Sequence, residues 1–254
     1  MNLGENVGAK TIMAAIVTRL NSHRQLISSK LVDVLRANRC VLCHGRGIRH
    51  CICADCSADL PWLMSACARC ARPLSVDAER CQDCLDEPPS WQRAYALFNF
   101  SFPIDRLISA LKYHGRLVLA DYFGQRLADR IDSDDLPDLI IPVPIHAKRL
   151  QQRGYNQTLL LARVMAQRLK RPVSAHQLLR VRDTRMQKTL HAGERRSNLT
   201  GAFVWHGPAL EQQHVLLVDD VLTTGATAEA ISQCLLAAGA RQVDILVIAR
   251  TLAR

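Results

Sequence analysis

Two stretches of this chain carry residues whose types and spacing could do chemistry. The first runs His-Val-Leu-Leu-Val-Asp-Asp-Val-Leu-Thr-Thr-Gly-Ala-Thr over residues 214–227. Residues 215–218 are a short continuous apolar run, which suits a strand buried on both faces of a parallel sheet. Asp219 and Asp220 follow directly. Then come Thr223, Thr224, Gly225, Ala226 and Thr227, and a helical pattern over residues 228–238. Gly225 can take positive φ, so the turn can curl and aim its backbone N–H groups inward. A helix starting behind it adds unpaired N–H groups and a dipole that favours an anion. Two carboxylates beside that turn would repel a bare phosphate. They make sense if they hold hydroxyls, or a magnesium ion, on the same ligand. A sugar carrying phosphate meets both conditions.

The second stretch is a set of four C-x-x-C pairs: Cys40/Cys43, Cys53/Cys56, Cys67/Cys70 and Cys81/Cys84. Two thiolates three positions apart on a tight turn clamp one side of a tetrahedral zinc ion, and two such pairs complete four sulfur ligands. Nine residues separate the first two pairs and ten the last two, a gap that a small hairpin fills. Iron–sulfur clusters also use four thiolates. Zinc, two ions per chain, is the favoured reading because the two repeated units resemble structural ribbons. Sequential pairing is the simplest arrangement and interleaved pairing the alternative. His44, His50 and Cys51 are read as neighbours rather than ligands, and Cys234 as a small core residue.

The other elements must position these groups. Strands are expected at residues 94–100, 138–141, 177–181, 200–205 and 243–249, and helices at 104–113, 118–131 and 157–169. Residues 86–90, Asp-Glu-Pro-Pro-Ser, read as a linker. Lys112, in the last turn of its helix, either reaches a ligand phosphate or complements the helix C-terminus. The strand at 138–141 stops at Pro142, Val143 and Pro144, and a loop with Lys148, Arg149 and Arg153 follows. A basic loop at the carboxyl end of a parallel strand is where such a sheet binds ligands. A long polar segment over residues 182–196 carries Arg182, Arg185, Lys188, Arg195 and Arg196. Residues 1–38 have a mixed helical pattern without visible chemistry. The fold class is therefore α/β, a parallel sheet flanked by helices behind a small cysteine-rich module. The expected divisions are an extension at 1–38, partly helical or poorly ordered, a double zinc ribbon at 39–87, and an α/β domain at 91–254.

The net charge of +10 is concentrated. Thirteen Lys and Arg stand against only Asp183 and Glu194 between residues 145 and 196, and the rest of the chain is close to neutral. Such a block points to a polyanion, either pyrophosphate or nucleic acid. Aromatic residues make up 5% of the chain, which weighs against a base-stacking single-strand binder. No apolar run approaches the ~18 residues of a membrane span. No convincing signal peptide opens the chain. Cysteines paired for metal fit the cytoplasm better than an oxidising compartment.

The 214–227 string resembles the ligand motif of type I phosphoribosyltransferases: apolar strand, acidic pair, apolar pair, then T-T-G-x-T. That resemblance implies the type I phosphoribosyltransferase fold and 5-phosphoribosyl 1-pyrophosphate (PRPP), bound with magnesium, as ligand. Asp219 and Asp220 would bind the ribose hydroxyls and serve catalysis, and Thr223, Thr224, Gly225, Ala226 and Thr227 the 5′-phosphate. Val143, Pro144, Lys148 and Arg149 would meet the pyrophosphate. The basic segment with Arg182 and Lys188 would be a lid closing over it. The whole chain from about Cys40 onward resembles the ComF (GntX-like) family. The residues that carry this are the cysteine pairs, Pro142-Val-Pro, Arg153-Gly-Tyr-Asn-Gln, Arg182 with Gln187 and Arg195, and the 219–227 turn. The resemblance implies a role in DNA uptake or utilisation, alongside DNA-uptake proteins, with phosphoribosyl transfer to an acceptor that it does not supply. The alternative is a non-enzymatic adaptor that binds single-stranded DNA on the same fold.

Overall fold

The computed structural model describes residues 39–45, 51–75, 78–182 and 201–252. The 1–38 extension and the expected lid beyond Arg182, Lys188 included, lie outside the described residues. Contacts divide the chain into two compact units, Met1–Cys56 and Ser57–Arg254. The described part of the first unit holds the first cysteine group.

The second unit is built on a four-stranded parallel sheet. Its strands are β1 (Arg93–Asn99), β2 (Leu139–Pro142), β5 (His214–Leu222) and β6 (Gln242–Arg250), in the order β1-β6-β5-β2. Between β2 and β5 in the chain, β3 (Leu178–Arg180) and β4 (Phe203–Trp205) form a separate antiparallel ribbon. The central strands β5 and β6 are apolar runs because both of their faces are covered. On one face, Val215, Leu217, Val243, Ile245 and Val247 share a buried cluster with Ala228, Ile231 and Leu235 of helix α7 (Ala226–Ala237). Strand alternation turns Ile140, Leu216, Val218, Leu246 and Ile248 to the other face. There α4 (Val118–Ala128) packs on β6 and α6 (Gln157–Leu169) on β2 and β5.

The helices follow from their spacing. Helix α3 (Ile104–Tyr113) buries Ile104, Leu107, Ile108 and Leu111, one face at helical period. Asn156 caps α6 by accepting from the Thr158 N–H at 3.1 Å. Helices α4 and α6 pack closely because Gly124 has no side chain; a Cβ there would lie 2.7 Å from Val164 Cβ. Short helices α1 (Ala54–Ala58), α2 (Gln82–Asp86) and α5 (Ala147–Arg153) complete the described set. No helix among the described residues is long and apolar enough to cross a membrane.

Two differences from the sequence reading bear on the site. Strand β5 does not stop at Val218. It continues through both aspartates to Leu222, because β6 supplies partners along its whole length: Asp219 faces Val247, and Leu222 faces Arg250. The expected linker is also tied down. Ser90 donates from its backbone N–H (3.0 Å) and Oγ (2.5 Å) to the Glu229 carboxylate of α7.

Candidate functional site

The acidic pair lies at the carboxyl end of β5, where an α/β sheet presents its ligand crevice. Asp220 is buried, 5% exposed. Lys112 Nζ, from the last turn of α3, stands 2.6 Å from Asp220 Oδ1, and Gln157 Nε2 donates to Oδ2. Gln157 is oriented in turn by Arg153 Nη1, which donates to its Oε1. Arg153 also lies over the Tyr113 ring, 4.9 Å from its centroid. So Lys112 neither caps its own helix alone nor stands free for a phosphate. It neutralises a carboxylate 108 positions along the chain.

Asp219 differs from its neighbour. Its Oδ1 accepts from the Asp220 N–H at 2.8 Å. Burial pushes its carboxyl up, and the adjacent Asp220 carboxylate adds to this. The Asp220 N–H and the charges of Lys112 and Arg180 pull the other way, and the balance leaves it at about 7. One acid of the pair thus stands against a lysine, while the other is poised to exchange its proton near neutral pH.

The turn after β5 has the conformation that its glycine predicts. Gly225 sits in the left-handed region at φ 84° and opens α7. A Cβ at Gly225 would also lie 2.8 Å from Trp91 Cη2, so two independent reasons keep a side chain out. Thr223 and Thr224 are exposed, and the Ala226 N–H lies 3.5 Å from Thr224 Oγ1.

The β2 loop lies alongside. The Val143 N–H donates to the Val218 carbonyl at 2.9 Å, extending the β2–β5 pairing toward the acids. The Val143 carbonyl accepts from Asn156 Nδ2 (3.1 Å) and Thr158 Oγ1 (2.7 Å), which fixes the path through Pro144. Lys148 is exposed and Arg149 half-buried, in the first turn of α5. Arg182 is exposed at the end of the described segment after β3. Gln157 and Arg180 were not singled out as site residues from sequence. Gln157 was visible only as part of a motif, and Arg180 as one cation among many.

A cavity of about 1020 Å³ lies on the other side of the turn. It touches Thr224, Gly225 and Ala226 but neither aspartate, and Asp83, Asp86, Glu87 and Glu229 line it. Arg72 and Arg250 line it as well, Arg72 standing 2.6 Å from Asp83.

The eight paired cysteines gather as two sequential groups, Cys40/Cys43/Cys53/Cys56 and Cys67/Cys70/Cys81/Cys84. Within each group one sulfur from every residue lies within 4.8 Å of the others. The Cys43–Cys53 and Cys70–Cys81 sulfurs are 3.7 and 3.6 Å apart. Zinc–sulfur bonds of about 2.3 Å at tetrahedral angles require sulfurs roughly 3.8 Å apart, so a single ion fits. A multi-iron cluster does not, because a [4Fe–4S] cluster puts each thiolate on a different iron and a [2Fe–2S] cluster puts two thiolates on each of two irons, so that some sulfurs must stand further apart. Backbone N–H groups favour the thiolate at Cys40 and Cys67, whereas the Cys53 side chain pushes Cys56 up and burial pushes Cys70 and Cys84 up. Burial pushes Cys40 up, but donation from Cys43, Cys53 and Leu42 outweighs it and brings the thiol down to about 6. Cys67 falls to about 7 for the same reasons, with Cys81, Cys70 and Arg69 as donors. Cys51 is buried outside both groups. His44 is exposed, and His50 lies outside the described residues.

Comparison with known proteins agrees with this architecture. A double zinc ribbon domain matches residues 31–85. The DNA utilization protein YhgH of Escherichia coli O157:H7 is 35% identical over 207 residues, covering 79% of this chain and 91% of that protein. Competence protein F of Haemophilus influenzae is 32% identical over 222 residues, covering 84% and 96%. A purine phosphoribosyltransferase structure from Pyrococcus horikoshii overlays 52% of this chain and 82% of its own, at 21% identity and a TM-score of 0.34. Fold and sites together define a double zinc ribbon joined to an α/β domain with a parallel sheet flanked by helices. The chain belongs to the ComF family, with the competence and DNA utilization proteins just named.

Proposed function

We propose that this protein binds Mg–PRPP at the carboxyl end of β5 and uses that site in DNA utilisation or uptake. The exposed hydroxyls of Thr223 and Thr224, with the N–H groups that open α7, take the 5′-phosphate. Asp219 and Asp220 take the ribose hydroxyls, Asp220 already oriented by Gln157. Val143, Pro144, Lys148 and Arg149 line the pyrophosphate side, and Arg182 leads into a cationic segment, Lys188 included. Magnesium would supply charge neutralisation on the pyrophosphate oxygens.

The chemistry that suits these groups is displacement at the anomeric carbon. An acceptor lone pair forms the new bond to C1 as the C1–O bond to pyrophosphate breaks, and pyrophosphate leaves with the electron pair. Lys148 and Arg149 meet charge that grows on the leaving group, which is where fixed cations lower a barrier. The observation that carries the reading is the pairing of unlike carboxylates, one charge-partnered and one titrating near neutrality, beside a left-handed glycine turn at a helix start. Isothermal titration of Mg–PRPP into wild type and Asp219→Asn/Asp220→Asn tests it. Saturable binding that the double change removes is expected, and silence from the wild type would end the reading.

A second reading is single-stranded DNA binding on the basic face, supported by relatives named for competence and DNA utilization. Phosphate contacts would make it salt-sensitive and indifferent to sequence. Filter binding over a salt series should show retention that falls steeply with salt. Negligible retention at low salt would remove it.

A further inference from the structure

A chain of direct contacts runs from the second cysteine group to the hydroxyl turn. Arg250, the last residue of β6, is 4% exposed. Its Nε donates to the carbonyl of Cys70 at 2.9 Å. Its Nη1 donates to the carbonyls of Leu222 (2.9 Å), Thr251 (2.8 Å) and Thr223. One planar guanidinium therefore joins the backbone of a cysteine knuckle to the point where β5 becomes the turn. A lysine cannot reproduce that, since its donors radiate from one atom instead of forming a fork.

A second strut stands beside the first. Trp91 Nε1 donates to the carbonyl of Arg69 at 2.6 Å, inside the Cys67–Cys70 turn. The same ring presses on Gly225 from the other end. Arg69 is itself pinned, by the Pro89 carbonyl (2.8 Å) and by the Gln92 carbonyl and Oε1 (2.9 Å each).

Charge gives this arrangement a direction. Among the described residues no carboxylate pairs with Arg250, and a buried cation without a counter-charge is costly. Four thiolates around one divalent ion carry a net charge of about −2, since a coordinated thiol is deprotonated. The metal-loaded knuckle is thus both the mechanical anchor and the counter-ion of the arginine that holds the turn.

We propose that Arg250 and Trp91 are positioning residues that couple the second thiolate–zinc centre to the 223–226 turn, so that metal there sets the turn's anion-binding conformation. The coupling rests on zinc in the second group. Its ligand consequence rests on the PRPP reading, and the two are tested separately.

Hydrogen exchange on the full zinc-loaded chain tests the coupling without any ligand. Arg250→Lys and Trp91→Phe, each verified to retain two zinc ions, should exchange the 223–228 amides about tenfold faster than wild type, roughly the loss of one hydrogen bond's net contribution. Amides of β1 and α3 should not change. Stripping zinc, or Cys84→Ser, removes the anchor itself and should raise exchange at the turn together with the core that the second group supports; Cys56→Ser in the first group should leave the turn as in wild type. A turn indifferent to all of these changes would overturn the coupling. So would a uniform rise across every segment in the two zinc-loaded variants, which marks general loosening.

The second arm uses reciprocity: if zinc favours the ligand-ready turn, ligand must retain zinc. Mg–PRPP should raise the equilibrium zinc affinity of the second site, read by competition with a chelator, in wild type and not in Trp91→Phe. An equal gain in both would count against the coupling. Failure of wild type to bind Mg–PRPP would end the functional reading, while the exchange result would still decide the coupling.

Discussion

The two cysteine groups have nearly the same spacing and very different surroundings. In the first, Cys40 is buried, Cys53 and Cys56 are half-buried and Cys43 is exposed; in the second all four are buried. The second group also belongs to the cluster that holds Trp91, Leu217, Ile245, Val247 and Ile231. Spacing therefore sets the donor geometry, which is alike in both. Neighbours decide whether the metal is a local clamp or a part of the core. Among the described residues, the second group is the one joined through Trp91 and Arg250 to the turn after β5.

Removing one thiolate from each group should break the comparison most visibly. A structural zinc site contributes on the order of 10 kcal/mol to folding, comparable to the whole stability of a domain. Cys84→Ser should therefore abolish the cooperative melt of the α/β unit, followed by near-ultraviolet dichroism of its tryptophans. Cys56→Ser should leave that melt recognisable. Equal damage from both would show that burial does not distinguish them.

Lys112→Ala comes next, since it strips the charge partner from buried Asp220. Breaking a buried pair costs ~3–5 kcal/mol; Lys112 keeps 22% side-chain exposure, so about 3 kcal/mol is expected from urea midpoints. Gly225→Ala should cost about 2 kcal/mol, from left-handed strain and from overpacking on Trp91. Combining Gly225→Ala with Trp91→Phe should be non-additive, because the two residues touch.

A further test is one of pH. An acid raised from 3.8 to about 7 on folding costs stability that begins above about pH 4 and is complete above about pH 7. Wild type should thus lose stability at this position between pH 5 and 8, where the unfolded chain holds fewer protons than the folded one. Asp219→Asn should flatten that part of the profile, measured as urea midpoints at the two pH values. An unchanged profile would remove the contrast between the two carboxylates.

Local patterns made much of this legible beforehand. The C-x-x-C pairs and the helices expected at 104–113 and 157–169 are written in local spacing, and the structure has them where spacing puts them. The end of β5 was misjudged because two charged residues look like a strand stop. Only the pairing with β6 shows why the strand continues past them. The partners of the acids were not legible at all. Lys112 and Asp220 are 108 positions apart and Arg250 and Cys70 are 180 apart, and no local period encodes such contacts. Trp91 looked like the first residue after a linker, whereas it is a strut between a metal knuckle and a glycine.

The central claim, that the unlike aspartates and their turn hold a magnesium–sugar phosphate, is tested most directly by calorimetry at pH 7 in two buffers of different ionisation enthalpy. The account predicts one-to-one binding of Mg–PRPP with release of about half a proton, because a group titrating near 7 must ionise fully to grip hydroxyls. In Asp219→Asn that release should vanish and the affinity fall. No binding, or binding that neither Asp219→Asn nor Asp220→Asn weakens, would contradict it.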